Sequence, residues 1–192
     1  MKSSGAVFFA LSLLAASAGC AQSAQRKASA DMEVIRSETT PAHLQGRGES
    51  AAMAGDFTRA EQYFVAALRA GGDARGLTKR LFVVCVADGR FPAAASYGED
   101  YLRKHPGDTE LRYALGTVYI ALGDAPASRS TLERVVEERP DLADAHYALA
   151  TVLREQGDAM LDADHQLREY IRLDPDGPYA EAARASLLKS VP

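Results

Sequence analysis

Four glycines, Gly55, Gly89, Gly123 and Gly157, stand 34 residues apart. Three of them are followed by aspartate: Asp56, Asp124 and Asp158. At a glycine background of about 7%, three further matches in one frame arise by chance roughly 3 times in 10,000. A fixed period constrains the fold more tightly than any composition figure. It calls for one supersecondary unit repeated along the chain, each copy burying its apolar face against the next. The stretch AGDFTRAEQYFVAAL, Ala54 to Leu68, is then one copy of a turn and a helix, not an isolated hairpin.

The rest of the period reads as two helices and two tight turns. Ala and Leu are abundant and β-branched runs are few, which favours helix over strand. Turn signals recur where helices must stop: Gly89, Pro92, Gly107-Asp108, Gly123-Asp124 and Pro140-Asp141. Pro41 after Thr39-Thr40 suits the first turn of a helix behind its cap. Asp108 and Asp141 are cap candidates for later helices. Small residues such as Gly116 and Ala60 let helix axes approach, and large ones such as Tyr119 and Phe64 fill the space beside them.

Particular residues carry a resemblance to a known family. Leu115-Gly116-Thr117-Val118-Tyr119 forms an L-G-x-x-Y element, Ala60 and Phe64 form A-x-x-x-F, and Pro106 and Pro140 lie 34 apart. In these features the chain resembles the tetratricopeptide repeats. The resemblance implies an all-α, right-handed α-solenoid of four helix-turn-helix repeats, 41–74, 75–108, 109–142 and 143–176. The first repeat closes on Gly72 instead of proline, and the second has Gly98 where a large residue is expected. The fourth closes at Pro175, one residue late, so an insertion is expected in its turn or second helix. Residues 177–192 are expected to form a capping helix that starts at Pro178, with Ala182, Ala185 and Leu188 near one stripe.

The N-terminus is a different kind of segment. Lys2, an apolar run from Gly5 to Ala16 and then small residues make residues 1–19 a secretory signal, too short to span a membrane. Two cleavage readings compete. Ala16-Ser17-Ala18 suits release of a soluble protein, whereas Ser17-Ala18-Gly19-Cys20 resembles a bacterial lipobox. The second implies a lipid on the Cys20 sulfur and, with Ala21 following, sorting to the periplasmic face of an outer membrane. Several acyl chains hold firmly where one holds weakly. The remainder of 20–40 is small and polar, a flexible tether in which Met32, Val34 and Ile35 alone offer apolar material.

No reactive constellation stands out. Cys20 and Cys85 are the only cysteines, and Cys85 is expected to be a buried small hydrophobe. Asp162, Asp164 and His165 do not share one helix face, which favours a solvated surface over a metal site. No P-loop, dinucleotide fingerprint or nucleophile elbow is present, so neither an enzyme nor a cofactor is expected. The formal charge of −4 is spread along the chain, without the basic block that nucleic acid demands.

A groove remains. The resemblance implies that one face of the first helices lines a concave surface for a protein or peptide segment. Its candidate residues are Gln45, Glu49 and Met53; Lys79, Val83 and Val86; Glu110, Tyr113, Thr117 and Ile120; and Asp144, Tyr147, Thr151 and Arg154. Tyr113 and Tyr147 stand in equivalent places, either as contact residues or as packing. Members that clamp a C-terminal carboxylate need basic residues where this chain has Gln45, Glu49, Glu110 and Ala114. The acidic groove instead suits a segment with some positive charge. The resemblance further implies a non-enzymatic, membrane-anchored scaffold assisting assembly of an envelope machine of the pilus or secretion type. Alternatives are a soluble periplasmic chaperone or adaptor and a regulator of a cell-wall enzyme.

Overall fold

The structure, a computed structural model, describes residues 37–157 and 159–189, together with 26, 27, 29, 32 and 33. The signal segment, Cys20, Val34, Ile35 and Asp158 lie outside the described residues. Helices follow one another as α1 (Pro41–Met53), α2 (Phe57–Arg69), α3 (Ala74–Ala87), α4 (Phe91–Lys104), α5 (Thr109–Leu122), α6 (Ala125–Glu138), α7 (Ala143–Gln156), α8 (Met160–Leu173) and α9 (Ala180–Ser186). No strand occurs among the described residues. Each helix packs chiefly on its neighbours in sequence, as a quasi-one-dimensional solenoid should.

The period has a backbone cause. Gly55, Gly89, Gly123 and Gly157 have φ of 76°, 68°, 72° and 76°. An L-residue in that left-handed region costs roughly 1–2 kcal/mol, so the turn joining the two helices of a repeat is confined to glycine. The next residue starts the second helix. Asp56 and Asp124 accept from the backbone N–H of Arg59 and Ala127 at 3.0 and 3.1 Å, satisfying donors that the helix leaves unpaired. In the second repeat Arg90 takes that place and makes no cap bond. It donates instead to Asp88 at 2.7 Å and Glu61 at 2.5 Å. The insertion in the fourth repeat falls in this turn: α7 ends at Gln156 and α8 begins at Met160, against Leu122 and Ala125 one repeat earlier.

Gly98 is explained by an exchange of sizes within the second repeat. In the first and third repeats a glycine on the first helix faces a large residue on the second. A Cβ on Gly48 would stand 2.5 Å from Phe64 Cε1, and one on Gly116 would stand 2.8 Å from Leu132 Cδ2. The second repeat inverts the pair. Phe82 occupies the glycine column, and a Cβ on Gly98 would meet Phe82 Cε2 at 3.7 Å and Leu115 Cδ1 at 3.3 Å. The volume between the helices is retained although its donor has changed, which is what close packing requires.

Successive repeats are also tied by polar side chains. Arg112 and His146, 34 apart and both buried, reach back to the carbonyls of Pro106 and Pro140 respectively. Arg112 also bonds Glu138 on α6, and the second nitrogen of His146 meets Gln166 on α8 at 2.6 Å. Both of these buried groups are therefore partnered, which offsets part of the desolvation cost of placing them there.

Two expected helix starts differ from the sequence reading. Asp108 caps α5 through the Leu111 N–H at 3.2 Å, but Asp141 does not cap α7. That helix begins one residue later, with Leu142 at the cap, and Arg139 holds the Asp141 carboxylate at 2.9 and 3.1 Å. The capping helix begins at Ala180, not Pro178, and ends at Ser186. Its buried face is Ala180 and Ala183, while Ala182 and Ala185 are exposed. Tyr179 stands at the cap of this helix and donates its N–H to Tyr170 Oη at 3.0 Å. Leu188 lies beyond the helix and donates its N–H to the buried Asp164 at 2.7 Å. This short helix covers Ala150, Leu167 and Tyr170, the apolar end that a solenoid must close.

Candidate protein-binding surface

None of the fourteen groove candidates is buried. Gln45, Glu49, Lys79, Tyr113, Thr117, Ile120, Tyr147 and Thr151 are half-buried; Met53, Val83, Val86, Glu110, Asp144 and Arg154 are exposed. They come from α1, α3, α5 and α7, but they do not form one uniform strip.

The first two repeats bring together an apolar depression of about 470 Å³. Ala52, Met53, Val83, Val84 and Phe64 line it, with Glu49, Lys79 and Arg80 at its edge. Met53 is 90% exposed and Val83 62%, unusual for side chains of that character on one wall. The polar edge is braced across the repeats. Glu49 accepts from Arg80 at 2.8 Å and from Gln45 at 3.0 Å, and Lys79 pairs with Glu110 of the third repeat. The Gln45 bond, followed by Arg80, holds the Glu49 carboxyl below its ordinary range.

The last two repeats are arranged differently. Thr117 and Thr151 turn their hydroxyls to their own helices, donating to the carbonyls of Ala114 at 2.7 Å and Tyr147 at 3.0 Å. Ile120 packs into the seam with α7 around Leu132, Leu149 and Val152. Tyr113 packs at the same seam. Tyr147 lies against Tyr170 at a centroid distance of 5.3 Å and stacks on Tyr179 at 4.3 Å and 10°. Burial, then the nearby Asp144 and Tyr179, push the Tyr113 phenol above its ordinary value. The two tyrosines are thus partly structural, with Tyr179 completing the wall.

Three contributors escaped the sequence reading. Phe64 floors the depression from a second helix. Arg80 stands in a column otherwise filled by Gly46, Ala114 and Ala148, so aligning the copies would have exposed it. Tyr179 lies outside the period and leaves no such signal. Elsewhere, Asp162 and His165 are exposed, whereas Asp164 is buried and bonded to Arg168 at 2.7 Å. Cys85 is fully buried, 3.9 Å from Glu61, and burial, then Glu61, raises its thiol to about 11.

A stack of helix pairs with an open, braced, partly apolar face defines a class: the helical repeat proteins that present an extended surface to other macromolecules. The sequence matches the tetratricopeptide repeat family over residues 46–109 and again over 85–152. The chain belongs to the tetratricopeptide repeat family, whose members generally mediate protein–protein interaction. No curated protein matches it. Among solved structures it is similar to YrrB, described as a tetratricopeptide protein with an unusual peptide-binding site, at 24% identity and a TM-score of 0.67, over 77% of this chain and 76% of that one. A fragment of MamA from Desulfovibrio magneticus is similar at 19% identity and 0.65, over 74% and 80%. A repeat protein from Parabacteroides merdae is similar at 17% and 0.69, over 76% and 58%.

Proposed function

We propose that the chain is a non-enzymatic protein-binding module, tethered by lipid at Cys20 to the periplasmic face of an outer membrane, that assists assembly of an envelope machine. The observation carrying the binding reading is the exposure of Met53 and Val83 over a depression whose rim is fixed by ion pairs. Covering solvent-facing apolar side chains on a rigid frame is favourable, and little conformational freedom is lost in doing so. YrrB, of similar fold, is described as binding peptide. The lipid and the location rest on the Ser17-Ala18-Gly19-Cys20 run, and the envelope role rests on the combination of anchor, tether and repeat array. Anchoring confines the partner search to a surface and raises effective concentration there.

The test places a photo-crosslinking residue at Met53 or Val83 in living cells, with Glu137 on α6 as control. Adducts with a defined envelope component from the first two sites, absent from Glu137, support the reading. Adducts from Glu137 alone refute it. The mass of the mature N-terminal peptide decides the anchor. A Cys20 N-terminus carrying acyl chains is expected; an unmodified N-terminus after Ala18 would make the protein a soluble periplasmic adaptor.

A further inference from the structure

The face lined by α1, α3, α5 and α7 changes chemistry along its length. Resting on the reading of that face as the binding surface, we infer that Asp144, Tyr147, Tyr179 and Tyr113 form a subsite for a lysine or arginine side chain of the bound segment.

Asp144 lies in the first turn of α7 and is exposed. It takes part in no ion pair among the described residues. Tyr147 follows one turn later on the same face, and its ring carries the parallel ring of Tyr179 at 4.3 Å. Tyr179 itself remains 44% exposed. Tyr113 approaches from α5, near enough to Asp144 and Tyr179 for both to act on its phenol. Electron-rich ring faces beside an uncompensated carboxylate attract a cation twice over, through the ring quadrupole and through charge. An acidic side chain would be repelled there, and an aliphatic one would leave Asp144 partly desolvated without a partner.

The neighbouring cations are already committed. Lys79 is paired with Glu110, Arg75 and Arg139, which border Tyr113, are paired with Asp108 and Asp141, and Arg154 stands ten residues further along α7, roughly 15 Å away. The subsite is also preformed. Tyr179 is held by its N–H bond to Tyr170, and beyond it Arg184 bonds the Pro175 carbonyl at 2.6 Å and Leu188 bonds Asp164. Tyr179 is therefore a fixed wall and not a movable lid.

The experiment selects displayed linear peptides of random sequence on the chain lacking residues 1–19 and carrying Cys20→Ser. Selected peptides should share a lysine or arginine at a fixed distance from an aliphatic residue. Their synthetic versions should bind roughly two- to fivefold more weakly to Asp144→Asn, the size expected from losing one exposed ion pair while the ring contacts remain. Tyr179→Ala should weaken them similarly, and the unchanged melting temperature of Asp144→Asn excludes unfolding as the cause. Selection on Asp144→Arg should turn the preference to aspartate or glutamate at the same peptide position. Peptides that lose binding to Val83→Glu but not to Asp144→Asn would overturn the subsite and keep the groove. Peptides indifferent to both, or no selected peptides at all, would overturn the groove with it.

Discussion

The exchange between Phe82 and Gly98 makes a quantitative prediction about how this array tolerates change. Phe82 is 7% exposed, and removing a buried aromatic side chain costs about 3–5 kcal/mol. Phe82→Ala alone should fall in that range. Gly98→Leu places its first carbon 3.3 Å from Leu115 Cδ1 and 3.7 Å from Phe82 Cε2, and its remaining carbons have nowhere to go. Overpacking costs about 1–3 kcal/mol, offset by up to about 1 kcal/mol for removing a glycine from a helix interior. The double variant reproduces the fourth repeat, where Ala150 and Leu167 share one cluster and are 0% and 2% exposed. The introduced leucine side chain would then enter the space that the ring vacated. The two changes should couple favourably by about 2 kcal/mol, within the range known for residues in contact. The assay is urea unfolding followed by far-UV circular dichroism, comparing midpoints at constant slope. The double variant should be more stable than Phe82→Ala alone. If its loss equals or exceeds the sum of the single losses, the idea that the repeats conserve a shared volume is wrong.

Other consequences follow from single residues. Asp164→Ala removes the acceptor that pins Leu188, and should cost about 1–3 kcal/mol of local stability, read as faster amide exchange at Ala183 to Leu188. Burial pushes the Asp164 carboxyl up, but the Leu188 N–H and Arg168 outweigh it, so its folded pKa lies below the ordinary 3.8. Its contribution is therefore complete above that value and lost as pH falls through the folded pKa. Amide protection at the cap, taken relative to the intrinsic exchange rate at each pH, should fall below about pH 4 in the parent, and Asp164→Ala should lack that acid step. Cys85, with its thiol at about 11 and no exposed surface, should resist a disulfide reagent at pH 8 in a Cys20→Ser background until urea unfolds the chain. Labelling of the native protein at the rate of a free thiol would contradict its placement. Gly123→Ala, at φ 72°, should cost about 1–2 kcal/mol, whereas Gly107→Ala, with open space around it, should change the urea midpoint little.

The legibility of the sequence differed from column to column for physical reasons. The period was plain because a left-handed turn admits almost only glycine, so Gly55, Gly89, Gly123 and Gly157 had no alternatives. Asp56 and Asp124 were similarly restricted by their cap bonds. Val83 and Val86 stand in columns that recur as Thr117 and Thr151 and as Ile120 and Arg154, whereas Met53 lies one place beyond the second column, where Ala52 sits. Volume is a weaker constraint, because either helix can supply it, and Gly98 looked anomalous until Phe82 was set opposite. Asp141 misled because a bidentate arginine competed with a cap. The C-terminal segment was the least readable part. Its cap residue, Tyr179, meets Tyr170 and Tyr147, contacts that no local pattern records.

The same comparison of columns separates what holds the array together from what it recognises. Ala60, Ala94, Ser128 and Ala163 occupy one structural column, and every one is 0% exposed. The column of Gln45, Lys79, Tyr113 and Tyr147, and that of Glu49, Val83, Thr117 and Thr151, differ between the first two repeats and the last two, where Tyr and Thr each recur. Packing fixes the first kind, because a larger side chain there would force the helices apart. The second kind varies without strain, so its variation is available to specify a partner. The variation is also directional: aliphatic surface at the first two repeats gives way to aromatic and acidic surface at the last two. A symmetric surface would accept a segment in either direction, and this one should not. A peptide that binds should therefore lose most of its affinity when its sequence is reversed, although composition and charge are unchanged. Equal binding of the reversed peptide would mean that the two halves of the concave face do not act as distinct sites.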